Sequence, residues 1–372
     1  MPKQKNYRVA VIGHTGRGNY GHGLDTVWKD VAKTTLVAVA DADADGLTKA
    51  TQRLGDSIKG FADYRTLLKE MKPDLVSIAP RWLDQHHAMT LAAIDSGVKG
   101  IYLEKPMCRS LTEADAMVTA AEKANTKLAI AFQTRYSPVL QVINDLIDSD
   151  EIGEVLEFRG RGKDDRRGGG EDLWVLGSHV MNLMHHLGGA PEWCSAKVYQ
   201  GRKLVTKEHV LDGPEGIGPL AGDRLSAMYG LESGATAYVN SWRNQAGTPS
   251  RFGLKIMGSK GIIELYDVGH APKAFWLPDP GWSPGRSGKE WIPLTTQGPG
   301  KPETFTGNGH HKGNVDACID LIRAIEGDLQ PEASIYEART SVEMIAAVFE
   351  SHRQNATVDL PLTSRENPLA HL

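Results

Sequence analysis

The sequence predicts an α/β protein: an N-terminal doubly wound parallel sheet, then a second domain that mixes helices with alternating strands. Three observations carry this. In the first third, short apolar runs alternate with amphipathic stretches, the pattern of βαβ units. A glycine-rich turn follows the first apolar run. After Arg135 the rhythm changes to a helix, an alternating strand, a Gly168-Gly-Gly turn and a long apolar helix. The chain has 372 residues, more than one domain usually holds. The boundary falls near Thr134, giving domains of residues 1–134 and 135–372.

Residues 8–12 read as the first buried strand, and Leu24, Val27, Trp28 and Val31 then recur at helical spacing. Residues 36–40, 75–79, 100–103 and 128–132 repeat the strand pattern, with Gly97 closing one helix and residues 112–125 forming another. In the second domain a helix is expected at 139–147, a strand at 152–159 and a helix at 174–187. Alternating strands follow at 235–241 and 261–265. Residues 267–306, rich in Gly, Pro and Trp, read as long loops, and helices at 314–326 and 334–353 end the chain.

Composition excludes several functions. The formal net charge is −4, from 42 basic and 46 acidic residues, so no basic footprint for nucleic acid or an anionic membrane is expected. No apolar run reaches the length of a membrane span. Cys108, Cys194 and Cys318 are odd in number and far apart, which argues against a disulfide framework or a CxxC metal site. With no apolar stretch before the first strand, a cytoplasmic protein without a metal is expected.

The first strand runs into Gly13-His-Thr-Gly-Arg-Gly-Asn-Tyr-Gly-His-Gly. Gly16 to Gly21 fits GxGxxG between a predicted strand and a predicted helix, the context this pattern requires. Glycines let the backbone approach a pyrophosphate, and a helix N-terminus offers oriented N–H groups. Asp41 ends the next strand, about 20 residues on, where an acid accepts from the ribose hydroxyls of NAD. NAD is therefore expected, held by Gly13, Thr15, Gly16, Arg17, Gly18, Asn19, Tyr20 and Asp41. Arg17 leaves some room for the 2′-phosphate of NADP.

A later strand ends in Glu104-Lys105-Pro106, at the edge where an open parallel sheet borders its ligand crevice. A lysine there is poorly placed for packing and well placed for proton transfer. Ala79, Arg81, Trp82 and Gln133 follow the ends of neighbouring strands and are further candidates for cofactor contact.

These residues resemble the Gfo/Idh/MocA family, named for glucose–fructose oxidoreductase and inositol dehydrogenase. The matching stretches are Asp63-Tyr-Arg-Thr-Leu-Leu, Asp74-Leu-Val-Ser-Ile-Ala, Ala93-Ile-Asp-Ser-Gly, Glu104-Lys-Pro, Arg135-Tyr-Ser-Pro, Ile152-Gly-Glu-Val and Ile256-Met-Gly-Ser-Lys-Gly-Ile-Ile. The resemblance implies a Rossmann domain followed by an α+β domain with a large open, mainly antiparallel sheet. It also implies a homo-oligomer, dimer or tetramer, and NAD(P)-dependent hydride transfer at a secondary hydroxyl of a sugar, glycoside or cyclitol. It gives Lys105 a role in cofactor contact, substrate contact and proton transfer, and it places His87 at a cofactor-side histidine.

The family carries an acid and, four residues later, a histidine on one helix. Here His179 matches the histidine, but Val175 stands in place of the acid, and the acid usual three residues after the histidine is Asn182. Asp172 could supply a carboxylate only if the glycine turn brings it inward. Arg161, Asp172, Trp174, His179 and Asn182, with Lys105, are the candidate substrate contacts. His185 and His186 are expected to pack or meet another subunit, and His310 and His311 could border the site. Lys105 and His179 are the candidate catalytic pair. The missing acid keeps open a redox-neutral lyase or glycosidase that oxidises its sugar only transiently.

Overall fold

The computed structural model describes residues 6–55, 57–268, 272–307 and 309–372. Residues 1–5, part of the expected leaderless start, lie outside them. The chain divides into two compact units. The first joins Met1–Ala131, Pro214–Gly218 and His311–Arg339; the second joins Phe132–Gly213, Pro219–His310 and Thr340–Leu372. No composition shift in the sequence marks the membership of residues 311–339 in the first unit.

In the first unit, β1 (Tyr7–Ile12), β2 (Thr34–Ala40), β3 (Lys59–Phe61), β4 (Leu75–Ile78), β5 (Gly100–Leu103) and β6 (Lys127–Ile130) form one sheet in the order β3-β2-β1-β4-β5-β6. Every pairing is parallel. The order reverses between β1 and β4, where such sheets bind nucleotides. The strands are mainly apolar because both faces are covered, and Val9, Val11, Leu75, Ile78, Ile101 and Leu103 are all fully buried.

Helices α1 (Ala44–Leu54), α2 (Tyr64–Met71), α3 (His86–Asp95) and α4 (Leu111–Ala124) connect the strands. Asp43, Asp63 and Ser110 start α1, α2 and α4 by accepting from the backbone N–H of Gly46, Thr66 and Glu113.

The helix expected after the glycine run does not form. Residues 13–26 are turns, and only a short 3-10 segment, Val27–Lys29, follows. Gly16, Gly18, Gly21 and Gly23, with Asn19, all hold positive φ, which a right-handed helix does not permit. The apolar spacing nonetheless reports burial correctly: Leu24, Val27, Trp28 and Val31 are all buried.

In the second unit, α5 (Pro138–Asp148) leads to β7 (Val155–Arg161). β7 sits near the middle of an 11-stranded sheet. It pairs parallel to Thr236–Trp242 and antiparallel to Gly253–Gly258, and the other pairings recorded for the sheet are antiparallel. This is the large, mainly antiparallel sheet expected.

The expected loop region at 267–306 is corrected in part. Lys273–Leu277, Ile292–Thr295 and Gly298–Pro299 extend the sheet, and Trp282 and Trp291 pack on Met257, Ile262 and Leu277. Turn residues hid these short strands. The helix Ile335–Gln354 matches expectation within a residue at each end, while Gly309–Gly327 begins five residues before the expected start at 314. No helix among the described residues is long and apolar enough to cross a membrane.

Candidate active site

The glycine run folds back on the strand ends. Thr15 donates to Asp41 through its backbone N–H and its hydroxyl, the latter at 2.7 Å. The Tyr20 hydroxyl donates to Asp41 Oδ2 at 2.8 Å, and the Asp43 N–H to Oδ1 at 3.0 Å. Asp41 is 1% exposed. Burial opposes its charge, but these bonds outweigh burial and hold its pKa below the usual carboxylate range.

A carboxylate offers about four acceptor sites, and protein donors take them here. The expected open ribose acceptor is therefore corrected. Asp41 anchors the loop, and a ribose hydroxyl would have to replace Thr15 or Tyr20. The negative charge itself stays in place.

Other loop amides turn inward too. The His14 N–H donates to Asn19 O, the Gly16 N–H to Asn19 Oδ1 and the Arg17 N–H to His14 O. With no helix behind the run, the expected helix N-terminus for pyrophosphate is absent. Two features nevertheless suit a dinucleotide. Arg17 lies 4.7 Å over the Trp82 ring and pairs with Asp84, yet its buried Nε bonds nothing among the described residues. Beside it, a Cβ added at Gly16 would meet open space. An unfilled cationic donor next to bare backbone fits an anionic group.

Gly18 packs against the chain leaving β4. Its φ is 90°, and an added Cβ would lie 2.3 Å from the Arg81 nitrogen. Gly18→Ala is expected to destabilise the protein by about 1–3 kcal/mol through overpacking at a left-handed position. Chemical unfolding measures this, and an unchanged midpoint would show that the loop yields freely.

At the end of β5, Glu104 is 0% and Lys105 6% exposed. Burial works against the Glu104 carboxylate, but His22, Lys105 and His86 outweigh it and its pKa is lowered. His86 ties together the segments that follow β4 and β5: its Nε2 lies 2.6 Å from Pro80 O and its Nδ1 2.9 Å from Pro106 O. His87, the histidine expected here, keeps a buried Nε2 with no partner among the described residues. Ala79 is buried and Arg81 exposed, its N–H donating weakly to Gly18 O.

In the second unit, the glycine turn leads into α6 (Gly170–Asp172), a π turn (Leu173–Gly177) and α7 (Ser178–Gly188). A π turn closes i→i+5 and inserts a residue into the helical repeat. The seven-residue step from Asp172 to His179 therefore does not return to one face. Asp172 is instead fully buried against the sheet, accepting from Ser241 Oγ at 2.5 Å and from the Asp164 N–H at 3.1 Å. A Cβ at Gly162 would lie 2.1 Å from its Oδ2. Burial raises its pKa against those bonds. Through Oδ2 Asp172 thus secures the turn, while its buried Oδ1 has no partner among the described residues.

Arg161 is corrected. Gly160 faces α7, since a Cβ there would meet Val180 and Met184. Alternation along β7 puts Arg161 on the opposite face. There it lies 5.3 Å over Trp242 and donates from Nε to Asp164 at 2.7 Å. Register against a helix decides this, and a lone strand sequence does not show it.

His179 is 4% exposed, with the Phe132 ring edge-on at 5.6 Å. Trp174 is 3% exposed, and its indole N–H has no partner among the described residues. Asn182 lies within a buried network of Arg135, His185 and Ser341. Gln133 is buried in the turn Gln133–Tyr136. His311 pairs with Asp30. Sequence reasoning missed His22, His86 and Asn314; His22 stood in the glycine run and His86 beside His87, but nothing marked either as a partner of the strand ends.

The oxidoreductase-family model with an NAD-binding Rossmann fold matches residues 7–132, and the GFO/IDH/MocA C-terminal domain matches residues 140–264. The chain belongs to the Gfo/Idh/MocA family. Within it, the chain is 23% identical over 366 residues to the levoglucosan dehydrogenase of Pseudarthrobacter phenanthrenivorans, covering 91% of this chain and 92% of that one. It is 25% identical to a glycosyl hydrolase family 109 protein of Streptomyces coelicolor, covering 89% and 77%. A solved levoglucosan dehydrogenase in complex with NADH and L-sorbose shares the fold, with a TM-score of 0.77, 21% identity and coverage of 96% and 99%. This Gfo/Idh/MocA chain is thus an oxidoreductase with an NAD-binding domain.

Proposed function

We propose that the protein transfers a hydride between NAD and a secondary hydroxyl of a sugar, glycoside or cyclitol. The observation that carries this is the buried Glu104-Lys105 pair at the carboxyl end of β5. Bound NAD supplies the hydride acceptor. Residues 1–134 would hold it, with Arg17 on its phosphates, and residues 135–372 would hold substrate and self-associate. Lys105 polarises the reacting oxygen, and His179 takes the hydroxyl proton; Trp174 offers a donor to substrate oxygen. The reading includes a cytoplasmic dimer or tetramer, its self-association supported by the partly exposed Trp242 on the sheet face away from α7. A panel of sugars, glycosides and cyclitols with NAD, read by NADH absorbance, tests the activity. Net NADH is expected.

Val175 in place of an acid favours a second reading, redox-neutral lyase or glycosidase chemistry. The similarity to a glycosyl hydrolase family 109 protein also supports it. Product formation without NADH would select it.

Asp41 should favour NAD over NADP, because its charge repels a 2′-phosphate. In Asp41→Ala the preference should fall, and stability should drop by about 1–3 kcal/mol as Thr15 and Tyr20 lose a buried acceptor. The folded pKa lies below the unfolded one, so this contribution is present above about pH 4 and fades as pH falls through the folded value. Dissociation constants for both nucleotides check the preference. Tighter native binding of NADP, or a ratio unchanged in the variant, would make the assignment wrong.

A further inference from the structure

Glu104 is fully buried, and its charge needs a partner. His22 provides one. Its Nδ1 lies 3.3 Å from each Glu104 carboxylate oxygen. The approach requires Gly21, whose φ is 59° and where an added Cβ would lie 2.5 Å from Glu104 Oε2.

His22 is itself held from a distant part of the chain. Asn314, fully buried near the start of the helix Gly309–Gly327, donates from Nδ2 to His22 O at 3.1 Å. The Tyr102 hydroxyl of β5 donates to Asn314 Oδ1 at 2.6 Å. Next door, Ser77 of β4 donates to Leu24 O at 2.7 Å. The same strand, β5, thus carries Tyr102 at one end of this chain of bonds and leads into Glu104-Lys105 at the other.

We propose that His22, held by Asn314, is a positioning residue for Lys105: it fixes Glu104 as a charged neighbour of the lysine. This rests on the role given to Lys105 above. The titratable groups facing Glu104 are His22 from the glycine run, Lys105 beside it and His86 from α3. Without His22, the buried carboxylate binds a proton more readily. An ammonium beside a neutral carboxyl then loses its own proton more readily, so the polarising form of Lys105 disappears at lower pH.

The experiment is the pH profile of kcat for alcohol oxidation, with NAD affinity measured alongside. The native enzyme should lose activity at high pH as Lys105 deprotonates. In His22→Ala that alkaline limb should move down by about one pH unit or more, with the KM for substrate little changed. His22→Asn keeps a donor in place of Nδ1 and should restore the limb most of the way. Asn314→Ala leaves His22 present but frees its carbonyl; it should move the limb less, and it serves if His22→Ala does not fold.

An alkaline limb that stays put in His22→Ala and Asn314→Ala, while Lys105→Met abolishes turnover, overturns the proposal and leaves the lysine's role intact. If Lys105→Met keeps both turnover and limb, the lysine's role fails and the proposal falls with it.

Discussion

Lys105→Met is expected to lower the turnover number by about 10²- to 10⁴-fold, the usual worth of a positioned acid–base group. Methionine keeps the length and the apolar stem, so the buried site after β5 stays filled. Binding of NAD should change much less. The two quantities separate chemistry from assembly: a lysine that merely filled space would show up in unfolding midpoint and nucleotide affinity, and turnover would survive. Retained turnover would leave Lys105 a structural residue. A parallel loss of NAD affinity and turnover would point to a collapsed strand end rather than a missing polarising charge.

The second large effect is expected at His179. A histidine base acts in its neutral form, so alcohol oxidation should fall on the acid side of its pH–rate profile. His179→Gln keeps a hydrogen-bonding group and removes the titration. Oxidation should slow by about 10²-fold or more, and the acid limb of the pH–rate profile should vanish. If the variant keeps both rate and limb, the base lies elsewhere. Asp172 is then the first to test, since its Oδ2 is bonded to Ser241 and the Asp164 N–H but its buried Oδ1 has no partner among the described residues.

How far the sequence reached is clearest residue by residue. Five strands of the first unit were legible because both faces are covered, so each reads as a mainly apolar run between turn residues; β3, with Lys59-Gly-Phe61, carries too little apolar sequence to be read. Leu24, Val27, Trp28 and Val31 were legible as buried and misleading as a helix: helical spacing reports which side chains face inward, while the positive φ at Gly16, Gly18, Gly21 and Gly23 decides the backbone. The strands Lys273–Leu277 and Ile292–Thr295 were hidden differently, since both are short and set among Gly and Pro.

Lys105 and His179 stood out as candidates because each stands in a local motif. The directions of Asp172 and Arg161 could not be read, because they depend on a π turn and on the side of β7 that α7 covers. His22 was out of reach for a third reason. Its partner Glu104 is 82 positions away, and no local spacing records such a pairing. Asp41 shows the limit of a motif that is present: its position was legible, but its saturation by Thr15, Tyr20 and Asp43 depends on how the loop closes.

The central claim is direct hydride transfer between substrate carbon and nicotinamide. The most direct measurement takes the best substrate from the sugar panel, deuterated at the carbon to be oxidised, and follows the label with the native enzyme and NAD. The account predicts net NADH carrying deuterium on the nicotinamide ring, in amounts matching the oxidised sugar. Oxidised product with unlabelled NADH, or a changed sugar that forms with no accumulation of NADH, would contradict it.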